Sequence, residues 1–400
     1  MRATRAADVS RGSGALLWTL SGNMLLDSVE VSIMLVALPS IGAALRVSMV
    51  TAQWLMSGFA AGFAGFLVLG PRLVARWDRR RVYLGALAVF APVSVVGGLT
   101  GDIRLLIAIR VVKGGCAALT APTGLAIITT TFPDGPRLRR AVSVYALFGA
   151  VGFTAGLLLS GALVEAGWRW TLVFPAPVAL ALLLIARHVL PTGSAAPPRT
   201  TTTRALLRAG ALRRSMLGAA SLNGTYIGVL LLAAFDLSGR GWSPWLSAVA
   251  LLPASLPLVL SMPFVGGLVQ RFGTARLIVA GAVAVVTGCV LRALLAGSGP
   301  YGTAWLPALL LVEAGFVLSF APLNMQVTAG LGAAERPWAV ALYQTAVQAG
   351  GVLMLPLTAL LASRYPHRWP VSLLVLAAAA VGLITALSGL RRPRPAPLER

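Results

Sequence analysis

A group of side chains in the first third of the chain has the residue types and spacing of a charge-handling site. Asn23, Asp27, Glu30 and Met34 follow one another at i, i+4, i+7 and i+11. On a helix these positions fall within a sector of about 60°, so the two acids share one stripe. Arg110 and Lys113 stand one turn apart further along, and Glu313 lies alone in a later apolar stretch. Ionisable groups in apolar surroundings are costly and mark function by default when those surroundings are a bilayer. Burial and a second nearby acid both favour the neutral carboxyl, which suits a group that must load and release protons. Glu30 and Asp27 are therefore candidates for proton coupling, with Arg110 as a charge relay. Glu313 is a candidate second proton site or an anchor for a cationic substrate. If all five ionise, two positive and three negative charges leave one negative charge for a proton or a cation. The alternative for the same residues is structural: static ion pairs in which the acids of one helix hold Arg110 or Lys113 of another.

Other polar groups are placed to line a cavity or to bond between helices. Tyr343, Gln344 and Gln348 share one segment, and Asn223 and Tyr226 another. Nothing resembles an enzyme. There is no phosphate loop and no Cys/His cluster, and His188 and His367 both fall near loop ends. No metal and no cofactor is expected.

The elements that must position these groups are membrane spans. Of 400 residues, 58% are hydrophobic and 11% charged, against about 25% charged in soluble domains. Twelve apolar runs are each long enough to cross a bilayer. They cover about 15–43, 51–71, 81–100, 104–130, 141–163, 170–190, 215–237, 244–269, 276–296, 303–328, 337–362 and 370–390. The basic stretch Met1 to Gly14 precedes a run with acids and no small-residue cleavage site, so that run reads as a retained first span. Cys116 and Cys289 fall inside spans and read as small hydrophobes. The net charge is +22, nearly all arginine, with Lys113 the single lysine. These charges sit in short loops, so they set membrane orientation and do not point to a nucleic acid partner. One side collects the N-terminus, the 72–81 and 137–140 loops, the central linker, the 271–276 loop, Arg336 and the tail 391–400. That side is expected to face the cytoplasm of a plasma (inner) membrane, both termini included.

The chain divides into 1–190, a linker 191–214 and 215–400. Within the linker, Thr203 to Arg214 has the pattern of a short amphipathic helix on the membrane surface. The halves repeat. Leu73 to Trp77 matches Leu268 to Phe272 at an offset of 195, and Gly115 to Pro122 matches Gly315 to Pro322 at an offset of 200. Glu313 thereby occupies the position that repeats Lys113. Two six-helix halves in parallel repeat place a transport site at the interface between them.

Several segments resemble the major facilitator superfamily, and within it the drug:proton antiporters of the branch whose usual members have fourteen helices. Val29 to Pro39 is similar to L-D-x-T-x-V-N-x-A-L-P, with Glu30 on the aspartate and Leu35 on the asparagine. Gln53-Trp54 fits the second helix of the branch, with Phe59 at a usual tyrosine. Leu106, Arg110, Gly114, Ala117 and Ala118 fit the fourth, with Lys113 replacing a glutamine. Gly152, Gly156 and Gly161 resemble the antiporter motif of the fifth, with Leu157 replacing its proline, and are expected to pack helices closely. Trp168 to Pro177 and Gln348 to Gly351 also resemble branch segments. The loop motif G-x-L-x-D-R-x-G-R-R is degenerate: Pro71, Ala75 and Asp78 stand at its first glycine, aspartate and second glycine, ahead of Arg79 and Arg80. Its second copy, Gly266 to Gly273, has Gln270 for the acid, followed by Arg271. Asp78 is a candidate to replace the missing acid.

The resemblance implies the major facilitator fold, an all-α membrane protein of twelve transmembrane helices in two halves related by pseudo-two-fold symmetry. It implies proton-coupled export of amphipathic, cationic small molecules by a monomer in the bilayer. A solute importer on the same fold, or a sensor that no longer transports, are the alternatives. Asn23, Met34, Lys113, Asn223, Tyr226, Tyr343, Gln344 and Gln348 would line the cavity.

Overall fold

The computed structural model describes residues 2–133, 135–191, 209–295, 299–328, 331–332, 335–365 and 369–390. Every regular element among them is helical. Inside lipid no water pairs with the backbone, so each apolar run must satisfy its own N–H and C=O groups, and the helix does so. Spans 1 to 6 are Ser13–Leu45, Met49–Gly70, Arg79–Leu99, Ile103–Thr131, Pro136–Ala166 and Trp170–Val189. Spans 7 to 12 are Gly210–Gly239, Pro244–Phe272, Thr274–Leu294, Tyr301–Val327, Trp338–Arg364 and Pro370–Leu390. These are the twelve expected from the sequence, with shifted ends. Residues 210–214, expected in a surface helix, belong to the first turns of span 7, and Leu212 among them is buried. The remainder of that expected helix, most of the linker, His367 and the tail 391–400 lie outside the described residues.

Packing repeats between the two sets of six. Span 1 packs on span 5 as span 7 does on span 11, and span 2 on span 4 as span 8 does on span 10. Spans 3 and 6 pair as spans 9 and 12 do. The most extensive contacts between the sets, span 2 with span 11 and span 5 with span 8, exchange with one another under the same operation. This is a pseudo-two-fold arrangement with an interface along its axis.

Span 8 is not one helix. It runs as Pro244–Leu251, a 3-10 turn Leu252–Ala254, and then Leu256–Phe272. Pro253 and Pro257, four residues apart, each lack the N–H a continuous helix needs. Ser255 leaves helical geometry at φ −147°, ψ −38°. The first piece packs closely on span 5, where a Cβ at Gly161 would lie 2.8 Å from Ala248 and 3.0 Å from the Trp245 backbone. The second piece makes much slighter contact with span 5.

The loops between spans 2 and 3 and between spans 8 and 9 share one backbone conformation. Asp78 has φ 73°, ψ 146° and Gly273 has φ 77°, ψ 157°. Asp78 thus adopts the backbone of the motif's glycine, at a positive φ that side chains disfavour. Its carboxylate accepts from its neighbour Arg79 N at 2.8 Å and caps span 3. Arg80 donates to the Arg187 carbonyl at the end of span 6, and Arg271 lies over the Phe272 ring at 5.4 Å.

Candidate functional site

Spans 1 and 4 bring the expected charges together. Arg110 Nη1 donates to Glu30 Oε2 at 2.6 Å, and Lys113 Nζ donates to Glu30 Oε1 at 2.7 Å. Each carboxylate oxygen therefore meets its own cation. Arg110 also donates through Nη2 to the Glu30 carbonyl at 3.0 Å and through Nε to the Leu55 carbonyl at 2.8 Å. Its guanidinium lies 4.5 Å from the Phe59 ring centre, and Lys113 Nζ lies 4.7 Å from that of Phe90. None of the three charged side chains is more than 1% exposed. Such an assembly persists because pairing, hydrogen bonds and aromatic faces together offset the loss of water. Gly114 permits it, since a Cβ there would lie 2.0 Å from the Phe59 carbonyl oxygen; spans 2 and 4 touch backbone to backbone.

Asp27, one turn before Glu30, has a different environment. Its Oδ2 accepts from Asn23 Nδ2 and from Thr120 Oγ1, both at 2.9 Å. The phenols of Tyr83 and Tyr145 lie within electrostatic range of it. Tyr145 donates to the Ala121 carbonyl, whereas the buried Tyr83 hydroxyl and Asn23 Oδ1 have no hydrogen-bond partner. No salt bridge to Asp27 occurs among the described residues. Both cations thus belong to Glu30, and Asp27 is a buried acid among neutral dipoles. Met34, the last member of the stripe, is fully buried in the apolar core in this state.

Glu313 on span 10 reaches the break in span 8. Its Oε1 accepts from Leu258 N at 3.1 Å, and its Oε2 has no hydrogen-bond partner. The Tyr226 hydroxyl interacts with this carboxyl and donates to the Ala254 carbonyl. Tyr226 also belongs to an aromatic run crossing between the halves. Phe153 of span 5 lies 6.0 Å from it, Phe316 lies 4.7 Å away on the other side, and Phe320 stacks on Phe316 at 5.0 Å. Phe153, Phe316 and Phe320 remain partly accessible.

The remaining expected residues take mixed positions. Asn223 donates to the Val347 carbonyl at 2.8 Å and ties span 7 to span 11. Tyr343 is fully buried with its hydroxyl unpartnered, while Gln344 and Gln348 are half-buried. A Cβ at Gly152 would lie 2.5 Å from the Leu25 carbonyl oxygen, and one at Gly156 would lie 2.1 Å from Ser32 Oγ, so these glycines hold span 5 against span 1. Sequence reasoning missed Thr120, Tyr83, Phe90 and the aromatic run. The signal for Thr120 was available: it stands seven residues, two turns, after Lys113 on the same face of span 4. Asp236, near the end of span 7, accepts from Arg240 Nε at 2.8 Å and Trp305 Nε1 at 2.7 Å.

Comparison with known proteins agrees with this architecture. The uncharacterized MFS-type transporter EfpA of Mycobacterium tuberculosis is 34% identical over 45% of this chain and 34% of its own length. The cephamycin export protein CmcT of Amycolatopsis lactamdurans is 36% identical over 46% and 38%. These matches thus span little more than a third of either relative. The puromycin resistance protein pur8 of Streptomyces alboniger is 29% identical over 82% of this chain and 77% of its own length. Among solved structures, a D-xylose-proton symporter superposes with TM-score 0.77 at 17% identity, covering 95% of this chain and 97% of the other. The nucleoside transporter NupG gives 0.71 at 14% identity over 94% and 100%. At such identities the likeness is one of fold. The family model for the Major Facilitator Superfamily matches residues 20–354, and with the pseudo-symmetric twelve-span bundle and its buried charges, this places the chain in that superfamily of membrane transporters.

Proposed function

We propose that the chain exports amphipathic, cationic small molecules in exchange for protons, by alternating access across a plasma (inner) membrane. The observation that carries this reading is the four-charge cluster of spans 1 and 4. With Glu30, Asp27, Arg110 and Lys113 all ionised, its charge sums to zero. Neutralising Glu30 would strand two desolvated cations, whereas neutralising Asp27 leaves every ion pair intact. Asp27 is therefore the acid that loads, and Glu30 with its cations sets the field it loads in. A loaded cluster carries one net positive charge in a low-dielectric interior, where like charges repel strongly. A cationic substrate bound near the cluster and the proton thus oppose each other, which is the logic of exchange. Glu313, buried on span 10 of the other half, supplies the remaining negative charge. Phe153, Phe316 and Phe320, with the half-buried Gln344 and Gln348, offer a mixed aromatic and polar surface to an amphipathic solute. The relatives named for cephamycin export and puromycin resistance support export of antibiotic-like molecules.

In this reading the units 1–190 and 215–400 rock about the interface, with the linker 191–214 and both termini in the cytoplasm, as the arginine distribution requires. The test is a drug-susceptibility panel in a pump-deficient host expressing the chain, with and without a protonophore. Protection against cationic, aromatic compounds that disappears with the protonophore is expected. Protection that survives collapse of the proton gradient overturns the coupling.

A further inference from the structure

The break in span 8 leaves one particular pair of backbone groups open. In an uninterrupted helix Leu258 N–H would donate to the Ala254 carbonyl. Here Leu258 N donates to Glu313 Oε1 and Ala254 O accepts from the Tyr226 hydroxyl. The carboxyl and the phenol, themselves in electrostatic contact, are inserted into a single main-chain hydrogen bond.

We propose that Glu313 and Tyr226 form a proton-binding unit that splints span 8 open at residues 254–258, so that the proton itself is the ligand that holds the break. The balance of donors and acceptors fixes when the splint is complete. A protonated Glu313 accepts Leu258 N–H on Oε1 and offers the hydrogen of Oε2 to the Tyr226 oxygen. Tyr226 passes its own hydrogen to Ala254 O, and each group in the chain has a partner. The Glu313 Oε2 atom is buried and makes no hydrogen bond in this state, so a proton on it completes the chain by drawing Oε2 and the phenol oxygen together. An ionised Glu313 has none to give. Tyr226 has one hydrogen and two claimants, the carboxylate and Ala254 O, so one buried acceptor loses its partner. The chain can restore the account by closing the Leu258 N–H to Ala254 O bond, which re-forms a proline-kinked helix and swings Leu256–Phe272 relative to Pro244–Leu251. The first piece is pinned against span 5 at Gly161, so the movement falls on the second, whose contact with span 5 is slight.

Other titratable or charged groups stand on the elements packed against span 10. They are Arg213, Arg214, Tyr226 and Asp236 on span 7, Arg271 on span 8, Arg276, Cys289 and Arg292 on span 9, and Arg336, Tyr343 and Arg364 on the helix of span 11. Of these, Tyr226 interacts with the Glu313 carboxyl. Tyr226 acts through Glu313 and is a positioning residue. Because its ring also joins the aromatic run, a solute pressed on Phe153 or Phe316 displaces the phenol and with it the proton.

This inference deepens the export reading by giving its proton step a second, mechanical site, yet it is tested without transport. Spin labels are placed at Phe264→Cys on the second piece of span 8 and Arg140→Cys at the start of span 5, after Cys116→Ala and Cys289→Ala. Distances are recorded by double electron–electron resonance in lipid nanodiscs from pH 5 to 9, with no substrate and no gradient. Two distance populations whose ratio shifts with pH are expected. Glu313→Gln, which keeps both a donor and an acceptor at the position, holds the low-pH population throughout, and Tyr226→Phe loses the pH response. A wild-type distribution independent of pH, or either variant following the wild-type profile, overturns the proposal. Loss of the shift would leave the export reading standing, and absence of drug protection would leave the shift standing, so the two fail separately.

Discussion

Replacing Arg110 by alanine tests the charge logic of the site most directly. The guanidinium makes three hydrogen bonds, at 2.6 Å to Glu30 Oε2, 3.0 Å to Glu30 O and 2.8 Å to Leu55 O, and lies against Phe59. Removing one partner of a buried ion pair costs about 3–5 kcal/mol in soluble proteins. Lys113 remains 2.7 Å from the other carboxylate oxygen, and the cluster can take up a proton to restore neutrality, so about 3 kcal/mol is expected. Arg110→Lys keeps the charge but not the planar fork; it leaves a buried carbonyl without its donor, a cost of about 1–3 kcal/mol. Two measurements follow. In a double-mutant cycle with Glu30→Gln, read by unfolding in mixed micelles, the coupling energy falls at the upper end of the usual range of about 0.5–3 kcal/mol for contacting residues. Substrate-induced proton release, followed against pH, is suppressed in Arg110→Ala, because the held proton now replaces the missing cation, and is partly retained in Arg110→Lys. A coupling energy near zero, or three coincident release profiles, would refute the account of spans 1 and 4.

The two acids should separate. Asp27→Asn abolishes proton-driven export with folding intact, since asparagine keeps the shape and the neutral partners Asn23 and Thr120; Glu30→Gln abolishes it as well but also lowers stability by about 3 kcal/mol or more, because two buried cations lose their counter-charge. Equal stability of the two variants in micelle unfolding contradicts the assignment. Gly156→Val places a side chain where even a Cβ lies 2.1 Å from Ser32 Oγ, so overpacking of about 1–3 kcal/mol or more is expected as reduced yield of folded protein in size-exclusion chromatography. At the loop between spans 2 and 3, Asp78→Gly relieves the positive φ while losing the cap and should be near neutral, whereas Asp78→Ala keeps the strain and loses the cap, costing about 1–2 kcal/mol; thermal unfolding of the two variants checks the order.

The twelve spans were legible because lipid imposes one rule on every crossing segment, and length with apolarity suffices to express it. The charged residues were legible for the complementary reason: Glu30, Arg110 and Lys113 are too costly in such segments to be incidental. Their pairing was not. Spacing put two acids on one face of span 1 and two cations on one face of span 4, but which acid meets which cation depends on the rotation of span 1 and on the closeness of spans 2 and 4. That closeness is set by Gly114 against the Phe59 backbone, a contact between residues 55 positions apart that no local pattern encodes. The roles within the stripe followed from this distance, with Glu30 taking both cations and Asp27 left among Asn23, Thr120 and the two phenols.

Span 8 shows the same limit from the opposite direction. Pro253 and Pro257 mark an irregular helix, which apolar length alone does not register. What the sequence does not carry is the answer to the break, since the groups that satisfy its open N–H and C=O come from Glu313, 55 residues beyond Leu258, and from Tyr226, 28 residues before Ala254. Buried backbone groups must find partners, so a broken span is a demand for polar side chains from its neighbours. In this chain the neighbours that answer are an ionisable acid and a phenol at the interface between halves, and an irregularity imposed by two prolines thereby becomes a place where a proton can change backbone geometry.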